Sequence, residues 1–230
     1  MIAYDRPAFG LTEWPLIDSW RSENPYSNEY QDKLLINLLD ALKINKAILI
    51  GNSAGGTVAV QTELKYPERV SALILVDAAI LNNGGVPQWI SWVLYFPQMD
   101  RLIPLFVRYI KSWGLNLLTT AWHDPTKITP SIIEGYEKPL KVENWDKALW
   151  ELTKTSKPLG LIDKIVEVKL PVLILSGDDD RIVSTWDSVE LAKMIPNAEL
   201  KIFKDCGHVP QEECPQEFLD SVVSFKKGLN

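Results

Sequence analysis

Ala47-Ile48-Leu49-Ile50-Gly51-Asn52-Ser53-Ala54-Gly55-Gly56 is the stretch that decides the fold. An apolar run of strand character enters Gly-x-Ser-x-Gly, and Gly55 to Lys65 then reads as a helix ending before Pro67. A strand, a sharp turn and a helix in that order lift a serine hydroxyl above the carboxyl end of a sheet. The turn is tight enough to strain the serine backbone. Its neighbours two positions away, Gly51 and Gly55, are expected to lack side chains so that strand and helix can pack closely. The N–H of Ala54, at the helix N-terminus, is then placed to receive negative charge. Alone, the five-residue pattern is weak, since a turn that merely joins strand to helix reads the same.

Two downstream motifs strengthen it. Leu173-Ile174-Leu175-Ser176-Gly177-Asp178-Asp179-Asp180-Arg181-Ile182-Val183 is an apolar strand ending in an acidic turn. Cys206-Gly207-His208-Val209-Pro210 follows the strand-like Glu199-Leu200-Lys201-Ile202-Phe203. Serine, aspartate and histidine thus come in that chain order, each just past a strand. This order and placement resemble the α/β-hydrolase superfamily. So do Gly177 to Val183, reading Gly-x-x-Asp-x-Ile-Val, and Gly207 to Pro215, reading Gly-His-x-Pro-x-x-Glu-x-Pro. Ile2 to Gly10 is similar to that family's fourth strand and the following turn, with Ala8 where a glycine usually stands.

The resemblance implies a mostly parallel α/β sheet with an inserted helical cap. Strand four is expected at 2–5, five at 46–50, six at 72–77, seven at 171–176 and eight at 198–203. Strands one to three have no counterpart, so the sequence is expected to be N-terminally incomplete. The core is expected to comprise 1–81 and 166–230, and the cap 82–165. In the cap, helical pieces are expected at 88–96, 101–113, 130–138 and 144–152, separated by prolines and glycines. Pro25 to Leu42 and Pro215 to Lys226 carry apolar residues at helical spacing, with Asn24 and Pro25 as a cap and first-turn pair.

The resemblance also implies roles. Ser53 is the expected nucleophile and His208 the general base, with His123 its only competitor because the chain has 2 histidines. Asp180 is expected to orient the imidazole, while Asp178 and Asp179 read as turn residues with solvated side chains. Asp77, after strand six, is the reserve candidate for the acid. Ala54 supplies one oxyanion donor, and the second, from a loop after strand three, is absent from this chain. Carboxylic ester hydrolysis through an acyl-enzyme is the first expectation. Carbon–carbon hydrolysis of a diketone-type substrate comes second, and a non-catalytic ligand-binding member of the fold third.

Composition narrows the partners. With 46% apolar residues, the 230-residue chain can build a substantial core. A net charge of −6 with no basic block argues against nucleic acid. A small, apolar ester or acyl substrate is expected, without cofactor or metal. Tryptophans 89, 92, 113, 122, 145 and 150 could line its pocket, although cap core is the favoured reading for most. A membrane-touching face over Trp89 to Ile110 ranks last, because Asp100, Arg101 and prolines interrupt it. Cys206 and Cys214 suggest neither a disulfide framework nor a zinc site, which points to a reducing compartment.

Overall fold

The computed structural model describes residues 1–20, 23–81, 96, 98–109, 111–155 and 159–229. Among them four strands form one parallel sheet: β1 (Ala47–Asn52), β2 (Val70–Val76), β3 (Val172–Gly177) and β4 (Ala198–Phe203), lying side by side in that order. Burial follows position. Every residue of the inner strand β3 and all but Ser71 of β2 are buried, which is why both read as near-continuous apolar runs. The outer strands are more accessible: β1 buries only Leu49 and Gly51, and β4 only Phe203.

Parallel register brings the carboxyl ends together. Asn52 lies opposite Val76, Val76 opposite Leu175, and Gly177 opposite Phe203. The segments that follow, beginning at 53, 77, 178 and 204, therefore leave the sheet along one edge. That edge is where ligands collect in open parallel sheets.

The expected fourth strand at 2–5 does not form. A strand is held by ladder bonds to a neighbour, and among the described residues this segment has none. Among the described residues nothing pairs with the outer edge of β1, where Ile50 is 43% exposed. Ala8 adopts φ 69° in the turn that follows, the left-handed conformation for which a glycine would be the usual occupant.

Contacts divide the chain into two units. The first comprises Met1–Leu34, Gly84–Leu117 and Ile128–Pro158, and the second Leu35–Asn83, Leu118–Lys127 and Leu159–Asn230. Residues 1–34 thus pack with the helical segments, whereas the expected division kept 1–81 with the sheet. Within the first unit, Ala8, Trp14, Tyr26 and Ala148 form a buried cluster with Trp20, Trp145 and Leu152. Tyr26 donates its hydroxyl to the Pro15 carbonyl at 2.8 Å, so the aromatic packing carries its own polar anchor.

The second unit holds the sheet. Helix α1 (Asn28–Ala41) precedes β1 and starts three residues after Pro25: Asn24 instead makes a local turn to the Tyr26 N–H, and Ser27 accepts from the Tyr30 N–H. Helix α2 (Ala54–Lys65) follows β1. Further along, the expected helix at 101–113 is two, α3 (Met99–Tyr109) and α4 (Lys111–Ala121). The pieces at 130–138 and 144–152 are α5 (Pro130–Glu137) and α6 (Trp145–Thr155). The piece at 88–96, with Trp89 and Trp92, lies outside the described residues apart from Phe96, as does the side chain of Trp113. Trp122 and Trp150 are buried, and the Trp150 indole donates to Asp100 at 2.8 Å. No helix among the described residues is long and apolar enough to cross a membrane.

Candidate active site

At the elbow, Ser53 takes φ 52° and ψ −119°, a region that costs a non-glycine residue on the order of 1–3 kcal/mol. Its backbone is held from both sides. The Ser53 N–H donates to Val76 O at 2.9 Å, and its carbonyl accepts from Gly56 and Ala79. The hydroxyl does not cap α2, and the Ala54 N–H, as the first of the helix, has no intrahelical acceptor.

The elbow needs a different pair of glycines from the one expected. A Cβ at Gly51 would collide with the backbone of Gly55 and Gly56, and one at Gly56 would collide with Ala78. A Cβ at Gly55 meets nothing. Closeness of strand and helix is thus secured at 51 and 56, one residue later than the five-residue pattern suggests.

Asp180 and His208 come together. His208 Nδ1 and Asp180 Oδ2 are 2.7 Å apart, with the imidazole 7% exposed and the carboxylate fully buried. Asp180 Oδ1 accepts from the N–H groups of Ile182 and Val183, at 2.8 and 2.9 Å. An acceptor-only carboxylate at Nδ1 fixes the tautomer: Nδ1 carries the proton and Nε2 is left as the acceptor. No hydrogen bond joins the Ser53 hydroxyl to this imidazole among the described residues. Catalytic contacts of that kind often tighten only when substrate binds. Asn52 ties the two loops instead, its side-chain amide donating to His208 O at 3.0 Å and Val76 O at 3.1 Å.

The other aspartates have distinct work. Asp178 accepts from the Cys206 N–H at 3.3 Å. Asp179 bridges His123, at 2.8 Å from Nδ1, and the Arg181 guanidinium; these bonds hold its carboxyl below the usual range. The competing histidine is therefore engaged by a neighbouring acid and shares neither Asp180 nor the elbow.

Sequence reasoning missed the latch behind His208. The buried carboxylate of Glu213 accepts from three backbone N–H groups, those of Gly207 (2.8 Å), His123 (3.0 Å) and Asp124 (2.8 Å). Its signal was present as the glutamate of Gly-His-x-Pro-x-x-Glu. Cys206 and Cys214 are also joined, their Cα atoms 6.5 Å apart, because the short turn Pro210–Glu213 folds the chain back on itself. This corrects the expectation of no disulfide, and the reducing-compartment expectation loses that support.

Asp77 completes the cluster. It emerges from β2 at φ 43°, is fully buried, and brings a carboxyl oxygen within 4.8 Å of ligand atoms on Asp180 and His208. Burial, together with the nearby Asp180 carboxylate, pushes its acid up to about 9. By donor type the trio could hold a cation, but His208 Nδ1 and both Asp180 oxygens already have hydrogen-bond partners.

An elbow serine, a buried imidazole–carboxylate pair and the Ala54 N–H at a helix start, along one edge of a parallel sheet, define a hydrolase fold. The chain belongs to the alpha/beta hydrolase family, whose model matches residues 1–221. It is 28% identical over 235 residues to an uncharacterised hydrolase of Bacillus subtilis, covering 99% of this chain and 80% of that protein. It is 27% identical over 234 residues to a 2-hydroxymuconate semialdehyde hydrolase of Pseudomonas putida, covering 98% and 76%. Among solved structures it resembles a meta-cleavage product hydrolase of Pseudomonas fluorescens, at 25% identity and TM-score 0.71, covering 98% of this chain and 79% of the other.

Proposed function

We propose that this hydrolase cleaves a carboxylic ester or related acyl substrate through an acyl-enzyme on Ser53. His208 Nε2 takes the Ser53 proton as the oxygen attacks the substrate carbonyl. The tetrahedral oxyanion is received by the Ala54 N–H, the one donor we assign to this chain. Collapse expels the leaving group, to which His208 returns the proton. A water deprotonated by the same imidazole then attacks the acyl carbon and releases the acid. Asp180 stays ionised, fixing the tautomer and stabilising the imidazolium. The observation that carries this reading is the buried Asp180–His208 hydrogen bond beside a serine in strained elbow geometry.

Carbon–carbon hydrolysis is the second reading, favoured by relatives named for 2-hydroxy-6-oxo-dienoate substrates at 25 to 28% identity. It uses the same side chains on a vinylogous ketone. Turnover of short p-nitrophenyl esters and of a 2-hydroxy-6-oxo-dienoate, by the wild type and Ser53→Ala, separates the readings. Ester turnover that falls by about 10⁴-fold or more in the variant supports the first. Equal rates in both proteins would end the enzymatic claim.

A further inference from the structure

We infer that Asp77 is a neutral carboxylic acid that donates a hydrogen bond from Oδ2 to the Asp180 carboxylate, acting as a positioning residue for the Asp180–His208 pair. The inference rests on the catalytic reading above only for its kinetic consequences. The geometry stands by itself.

A complete account of the donors leads to it. Asp77 Oδ1 accepts from the Ser176 hydroxyl at 2.7 Å and from the Gly177 N–H at 3.2 Å. Asp180 Oδ1 is filled by two backbone N–H groups, whereas Oδ2 accepts only from the imidazole N–H and keeps one lone pair open. One atom is left over. Asp77 Oδ2 is buried without a partner among the described residues, and a carboxyl oxygen of Asp77 lies within 4.8 Å of one on Asp180. Two buried carboxylates cannot share such a site while both are charged. A single proton on Asp77 Oδ2 removes the repulsion and satisfies the orphaned oxygen in one step.

The proton belongs to Asp77 rather than Asp180. Asp180 meets three N–H donors, each of which favours an anion. Among the described residues no lysine or arginine acts on Asp77, and burial is the largest influence on it. The titratable groups facing it among the described residues are Asp180, from the loop after β3, and His208, from the loop after β4. A cation fits the account less well, since it needs several open lone pairs and this cluster leaves one oxygen unfilled. Asp77 thus braces the Asp180 carboxylate, which keeps Nδ1 and the catalytic tautomer fixed.

Isotope-edited infrared spectroscopy of the 230-residue protein, with labelled aspartate, tests the protonation directly and needs no activity. At neutral pH the wild type should show the carbonyl band of a protonated carboxyl that is missing from Asp77→Asn and fades on titration through about pH 9. Absence of that band in the wild type overturns the inference, even if the protein is an active esterase. p-Nitrophenyl acetate turnover supplies the second readout. Asp77→Asn keeps both an acceptor and a donor, so kcat/KM should stay within about threefold near neutrality, and the alkaline loss near pH 9 should disappear. Asp77→Leu should lose at least tenfold. A 100-fold loss in a folded Asp77→Asn protein would mean that Asp77 works as an anion, and the inference would fall.

Discussion

At the residue scale, the site is a set of paired oxygens and protons, and Asp77 is where that balance depends on pH. An aspartate in an unfolded chain ionises near pH 4, whereas burial beside Asp180 pushes the folded one up to about 9. Between those values the native state holds a proton that the unfolded state has released. The raised acid therefore contributes its full stabilisation below about pH 4 and loses it as pH climbs toward 9. Asp77→Asn has no such proton to lose. Urea unfolding of wild type from about pH 5 to about pH 8 should show a falling midpoint, and the variant a flatter one. Parallel curves would show that Asp77 is ionised already at the lower pH.

At the element scale, the elbow is a contact between the end of β1 and the first turn of α2. Gly51 and Gly56 allow that approach, because a Cβ at either would meet backbone or Ala78. Gly55 faces open space within a helix, where alanine is the better former by about 1 kcal/mol. Gly55→Ala should therefore leave stability unchanged or raise it, while Gly51→Ala and Gly56→Ala should lower the melting temperature by several degrees or prevent folding. Thermal melts of the three variants decide this. A destabilised Gly55→Ala protein would refute the packing described for the elbow.

At the scale of the whole molecule, the strands at 72–77 and 171–176 are legible because strands buried on both faces read as near-continuous apolar runs, whereas the partly accessible ones at 46–50 and 198–203 are placed by the serine and histidine motifs that follow them. The Ser-Asp-His order was legible with them, each residue lying just past a strand. Residues 2–5 misled because the reading rested on the resemblance of Ile2 to Gly10 to the family's fourth strand, and a strand also needs a partner along its edge, which a local motif does not encode. The Glu213 latch and the Asp77 pairing were hidden because both depend on segments about 90 or more residues apart meeting in space. The outer edge of β1, unpaired among the described residues and with Ile50 exposed, offers a template for another strand. Sedimentation velocity should show self-association of the 230-residue chain that Ile50→Lys reduces; identical profiles would remove the edge as its cause.

The central claim is that Asp180 and His208 activate the Ser53 hydroxyl. Fluorophosphonate labelling followed by peptide mass mapping tests it most directly, comparing wild type with Ser53→Ala and His208→Ala. The account predicts a stable adduct on the Ser53 peptide of wild type, none in Ser53→Ala, and labelling slower by about 10³-fold or more in His208→Ala. An adduct on another residue, or equal labelling rates with and without the imidazole, would contradict it.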